Sequence, residues 1–122
     1  METLRLSLHI LGACIWVGGQ VVMGSLVPVL RKYGPDAPKA AARQFNMVGW
    51  AGFGLAFVTG MWNMMVDDEL DQMLFGIKFL VVLISAAGAL IHIVGTSKPA
   101  LAAGGAIATV AGIASIFLGV AL

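Results

Sequence analysis

Charged side chains are scarce in this chain. Seven Lys and Arg and six Asp and Glu make up 11% of 122 residues, whereas 60% are hydrophobic. So little polar material cannot cover a soluble globule of this size. Cysteine is reduced to Cys14, which excludes an intrachain disulfide and leaves the redox compartment open. No basic tract accompanies the formal net charge of +1, so nothing points to nucleic acid as a partner. A glycine-rich phosphate loop, a spaced cysteine pair, a His-Glu-x-x-His pattern and a Ser-His-Asp arrangement are all missing. No motif therefore predicts catalysis.

What the chain has in quantity is long apolar sequence. Four blocks, at about 4–30, 45–66, 74–96 and 100–121, are each long enough to cross a hydrocarbon core about 30 Å thick. The sequence predicts an all-α integral membrane four-helix bundle of up-down-up-down order. Residues 1–122 form a single transmembrane domain in this reading, and the lipid bilayer is its first partner. The first block reads as a retained helix, because its apolar run is long, Arg5 is its only early cation and no small-residue cleavage site follows. Gly34, Pro35 and Pro38 break helix one, and an alanine run leading into Arg43 restarts the chain. The segment 31–44 thus reads as a short connector. Pro99 falls in the first turn of helix four, where its missing N–H is harmless.

Lys and Arg flanking the spans set orientation more reliably than acidic residues do. One side collects Arg31, Lys32, Lys39, Arg43 and Lys98. The other holds only Arg5 and Lys78, with Glu2, Asp67, Asp68, Glu69 and Asp71. The segments 31–44 and 97–99 are expected in the cytoplasm, with both termini and the acidic turn outside it. In a bacterial cell this is a multi-pass protein of the inner (plasma) membrane.

The polar residues within the spans fall on single faces. On helix one, His9, Gly12, Trp16, Gln20 and Met23 share a stripe, and on helix three Lys78, Ser85 and His92 recur every seven residues. Ionisable groups inside a membrane face protein and mark functional sites by default. The two stripes are expected to be the walls of an internal polar seam. Helix two offers Phe45, Gly49, Gly52, Ala56, Thr59 and Asn63, beside a bulkier face of Trp50, Phe53 and Phe57. Helix four offers Gly104, Ala108, Gly112, Ser115 and Gly119. Small residues at such spacings let helix backbones approach closely in lipid.

Depth separates the histidines. At a rise of about 1.5 Å per residue, His9 and His92 lie roughly 15–20 Å apart along the membrane normal, and they mark two places rather than one. Near the outer boundary the expected constellation is His9, Lys78 and Asn63, overhung by Met61, Met64, Met65 and Met73. Thioethers are soft ligands that suit Cu(I), and carboxylates nearby concentrate any cation. Each residue also has a plainer use. Lys78 can snorkel to the headgroups, methionine is an ordinary filler of apolar helices, the acidic residues suit a solvated turn, and Trp62 suits an interfacial anchor.

Three stretches, "LHILGACIWVGG" (8–19), "RQFNMVGWAGFGLAFVTGMWN" (43–63) and "FGIKFLVVLISAAGALIH" (75–92), resemble in order the membrane helices of copper-resistance D (CopD)-type proteins. The matching positions are His9, Trp16, Gly18, Gly19, Arg43, Phe45, Thr59, Gly60 and Lys78. The resemblance implies a bacterial inner-membrane protein of copper uptake or tolerance, working beside a periplasmic copper-binding protein. Family members are larger, with further helices. The helix-one histidine and helix-three lysine also look similar to those of the bacterial membrane protoporphyrinogen oxidases, which bind haem b.

The leading expectation is a copper-handling protein in which methionines and carboxylates gather the ion and His9 receives it. Its metal-ligating candidates are His9, Met61, Met64, Met65 and Met73. The alternative is a haem b-binding redox protein, with His9 or His92 as axial ligand and Lys78 near the cofactor. A third is a structural subunit that uses its small-residue seams for assembly. Four short helices enclose little interior, so a homo-oligomer is expected if anything crosses the membrane.

Overall fold

The computed structural model describes residues 2–122, and the described residues contain α-helix, one π-helical turn and one 3-10 turn but no strand. The chain forms two compact units, Met1–Asp67 and Asp68–Leu122, and each is a helical hairpin.

In the first unit, α1 (Glu2–Ala13) passes through a π-helical turn (Cys14–Gly18) into α2 (Gly19–Leu30) and ends in a 3-10 turn, Arg31–Tyr33. Cys14 is exposed at the start of the π turn. A wider turn narrows the angle between successive side chains, so the adjacent Trp16 and Val17 both become buried. Pro28 sits inside α2 and withholds one N–H from the ladder close to its end. Gly34 then reverses the chain at φ 107°, a conformation that only glycine adopts without strain.

The return helix α3 spans Asp36–Val66, 31 residues. It starts at Asp36 instead of near residue 45, so the connector expected over 31–44 shrinks to a tight reversal. Pro38 did not delay the helix, because the first-turn N–H groups have no intrahelical acceptor to lose. The alanine run that follows is the best helix-forming sequence available.

Glycine brings the two limbs together. A Cβ on Gly12 would lie 2.6 Å from Ala56 N and 2.7 Å from Gly52 O, and one on Gly52 would lie 2.5 Å from the Ile15 side chain. The Phe45 ring fills the room left by Gly19 and Gly49. Trp16 packs against Trp50 and Phe53 at centroid distances of 4.7 and 4.9 Å. Without a hydrophobic drive between helices in lipid, this van der Waals contact is what holds such a hairpin.

The second unit pairs α4 (Gln72–Val94) with α5 (Lys98–Ala121). Asp71 caps α4, its Oδ1 accepting from Met73 N at 3.0 Å and Leu74 N at 3.1 Å. Ser97 caps α5 by accepting from Ala100 N, with Pro99 in the first turn. Gly88 and Gly104 lie backbone to backbone: a Cβ on Gly88 would stand 2.7 Å from Ala108 N, and one on Gly104 2.6 Å from His92 N. Ser85, 2% exposed, donates to Ala108 O at 2.7 Å.

Three helices among the described residues are long and apolar enough to cross a membrane: Glu2–Tyr33, Gln72–Val94 and Lys98–Ala121. The sequence predicts four. The fourth, α3, has the length but carries Asn46, Thr59, Asn63 and several glycines, residues that lower its apolarity and that include its contacts with α1. Three such helices suggest a multi-pass membrane protein.

Candidate functional site

The site is built on the stripe Arg5, His9, Gly12, Trp16 of the first helix, at offsets of four and three that keep these residues on one face. That face meets α3. His9 Nδ1 lies 2.9 Å from Ala56 O and 3.0 Å from Thr59 Oγ1. A carbonyl oxygen only accepts, so Nδ1 carries the proton and donates. The Thr59 hydroxyl spends its own proton on Leu55 O at 2.7 Å, which leaves its oxygen able to accept from His9. In the neutral imidazole the lone pair therefore resides on Nε2.

Metal-bound imidazoles nearly always donate their other N–H to a carbonyl or carboxylate, which fixes tautomer and ring orientation. Gly60 completes the seat: a Cβ there would lie 3.3 Å from His9 Cε1. Thr59 is itself only 2% exposed, so the hydroxyl is held as firmly as the ring.

The second hairpin repeats the arrangement. His92 Nδ1 donates to Leu101 O at 2.6 Å, and a Cβ on Gly105 would come 3.2 Å from the same nitrogen. In both hairpins the accepting carbonyl precedes the glycine beneath the ring by four residues, Ala56 and Gly60 in one, Leu101 and Gly105 in the other. His92 is exposed, whereas His9 is half-buried.

The polar stripe of helix three also turns onto its own hairpin partner. Ser85 and His92 bond to α5, and Lys78 Nζ lies where a Cβ on Gly119 would be 3.0 Å away. Within each hairpin the stripe pairs with the adjacent limb, that of α1 with α3 and that of α4 with α5. The physical reason is that each stripe meets small residues and main-chain carbonyls on the adjacent limb.

Among the methionines, about 100° of rotation per residue decides which can approach His9. Asn63 continues the Ala56–Thr59–Gly60 face, Met64 lies on its flank, and Met61 and Met65 turn to the far side. Met65 is 75% exposed and Met73, in the second unit, 77%. Among the described residues no three His, Cys, Asp or Glu side chains gather as a metal cluster. Within the first unit the donors nearest this face are the His9 imidazole and, by helix phase, the Met64 thioether.

The sequence places Asn63 in the outer constellation and leaves Arg5 out of it. Arg5 was treated only as an orientation signal, although its spacing of four from His9 places it one turn along the same stripe. Its Nε is buried without a hydrogen-bond partner, as is Asn63 Oδ1. Comparison of the chain with known protein families, curated proteins and solved structures gives no match in any of the three.

Proposed function

We propose that the chain is a copper-handling protein of the bacterial inner membrane, with His9 Nε2 as the nitrogen ligand. The supporting observation is the 2.9 Å contact of His9 Nδ1 with the Ala56 carbonyl, which orients the imidazole for coordination. Met64 is the thioether best placed by helix phase to join it, and Met61 and Met65 collect the ion further out. A single imidazole with thioether donors suits Cu(I) over harder cations. Both termini and the acidic turn face outward in this reading, where a periplasmic copper-binding protein delivers or takes the ion. All four long helices cross the membrane, and copies of the chain assemble to enclose a path.

The test is retention of metal. Protein loaded with Cu(I) under reducing conditions and desalted is expected to keep the ion, and His9→Ala to lose most of it. Equal retention by the variant would remove the proposal.

A second reading, a haem b-binding protein, is favoured by the ring cluster beside the same stripe. Trp50 and Phe53 lie 5.4 Å apart, and Phe53 stacks on Phe57 at 6.1 Å. His9 or His92 would be the axial ligand, both carrying the required backbone hydrogen bond, and the bound group would supply one-electron chemistry. A Soret band in protein as purified supports it. No band after haem reconstitution counts against it.

A further inference from the structure

One turn from His9, toward the end of the hairpin where α1 begins and α3 finishes, two polar atoms are buried without partners. They are Arg5 Nε and Asn63 Oδ1. The helices run antiparallel, and the contacts of His9 with Thr59 and of Gly12 with Gly52 and Ala56 fix their register. Four residues before His9 and four after Thr59 lie at the same level. Arg5 and Asn63 therefore lie at the same level on the facing sides of α1 and α3.

We propose that Arg5 and Asn63 form an oxyanion site of the phosphate class, taken either from a lipid headgroup or from free phosphate. The guanidinium stays charged under all conditions the protein meets, and no carboxylate is paired with Arg5 among the described residues. A buried charged N–H without an acceptor is strongly unfavourable. Phosphate oxygens relieve it in the side-on fork that uses Nε–H together with an Nη–H, a geometry lysine cannot reproduce. Turning the Asn63 amide through 180° replaces its inward oxygen with the NH2 group, which gives the anion a second donor from the opposite helix. The site goes beyond the copper reading and needs no metal.

The experiment follows the Nε–H resonance of Arg5 in the full, 15N-labelled chain held in phosphate-free maltoside micelles. Arg5→Lys assigns the resonance, and those of Arg31 and Arg43 serve as internal controls. Dimethyl phosphate and inorganic phosphate are the probes. The expected result is a saturable shift of Arg5 alone, about tenfold weaker in Asn63→Leu and abolished in Asn63→Asp, whose carboxylate takes the guanidinium itself. In Arg5→Lys the Asn63 side-chain NH2 resonance no longer responds. A second arm adds phosphatidylglycerol or a phosphate-free galactolipid to the micelles. If phosphatidylglycerol saturates the shift and blocks free phosphate, the headgroup is the ligand; if free phosphate still titrates, the soluble anion is. Shifts that never saturate, or that Asn63→Leu and Asn63→Asp leave unchanged, overturn the site.

Discussion

A single hydrogen bond decides what His9 can do. Because the Ala56 carbonyl cannot donate, the ring proton sits on Nδ1, and the other nitrogen is committed to accepting a proton or an ion. Thr59 shares that anchoring at 3.0 Å. Thr59→Val keeps the shape and removes the acceptor, so Cu(I) affinity is expected to fall by about tenfold, the lower end for loss of a group supporting a ligand. Competition with a Cu(I) chelator measures it. Gly60→Leu acts sterically instead, since even its Cβ would lie 3.3 Å from the ring. Its expected result is loss of metal with helix content unchanged by circular dichroism. The histidine, lysine and methionines were legible in the sequence as residue types in a span. Their partners were not, because a main-chain carbonyl leaves no mark on residue identity.

At the scale of the helix, faces were legible and ends less so. The seam Gly104, Ala108, Gly112 read from spacing is buried against α4, and Gly119 gives Lys78 its room. Spacing reports faces well because a helix repeats its geometry at every turn. The start of α3 was missed because proline reads as a breaker unless its place within the first turn is known. The π turn was invisible for a different reason: "CIWVG" has no composition that marks an added residue. Gly88→Leu is expected to destabilise the second hairpin by about 1–3 kcal/mol, the usual cost of overpacking, since backbone atoms of α5 stand 2.7 Å from its first added carbon. Ser85→Ala costs less, about 0.6 kcal/mol, typical of an interhelical hydrogen bond in a membrane. Thermal unfolding in micelles ranks the two.

For the whole molecule, the hydrogen bonds of His9, Thr59, Ser85 and His92 each close within their own hairpin. Fragments 1–67 and 68–122, purified separately in micelles, are each expected to keep helical circular dichroism, with the His92 Nδ1 proton of the second still protected by its bond to Leu101 O. An unstructured fragment would contradict that independence. The all-α class was readable because 60% hydrophobic residues in long runs leave few alternatives. The expected orientation rests only on Arg31, Lys32, Lys39, Arg43 and Lys98. An alkaline phosphatase fused after Leu122 is expected to be active, and a fluorescent protein there dark. The reverse pattern would invert the proposed topology.

The exposed thiol at the beginning of the π turn has a practical consequence. Because Cys14 is unique in the chain, a nitroxide attached there labels the native protein at one position without mutagenesis. Relaxation by dissolved oxygen then reports its immersion depth in a bilayer. Dipolar broadening between labels counts neighbouring copies, so one spectrum series measures both burial in lipid and self-association.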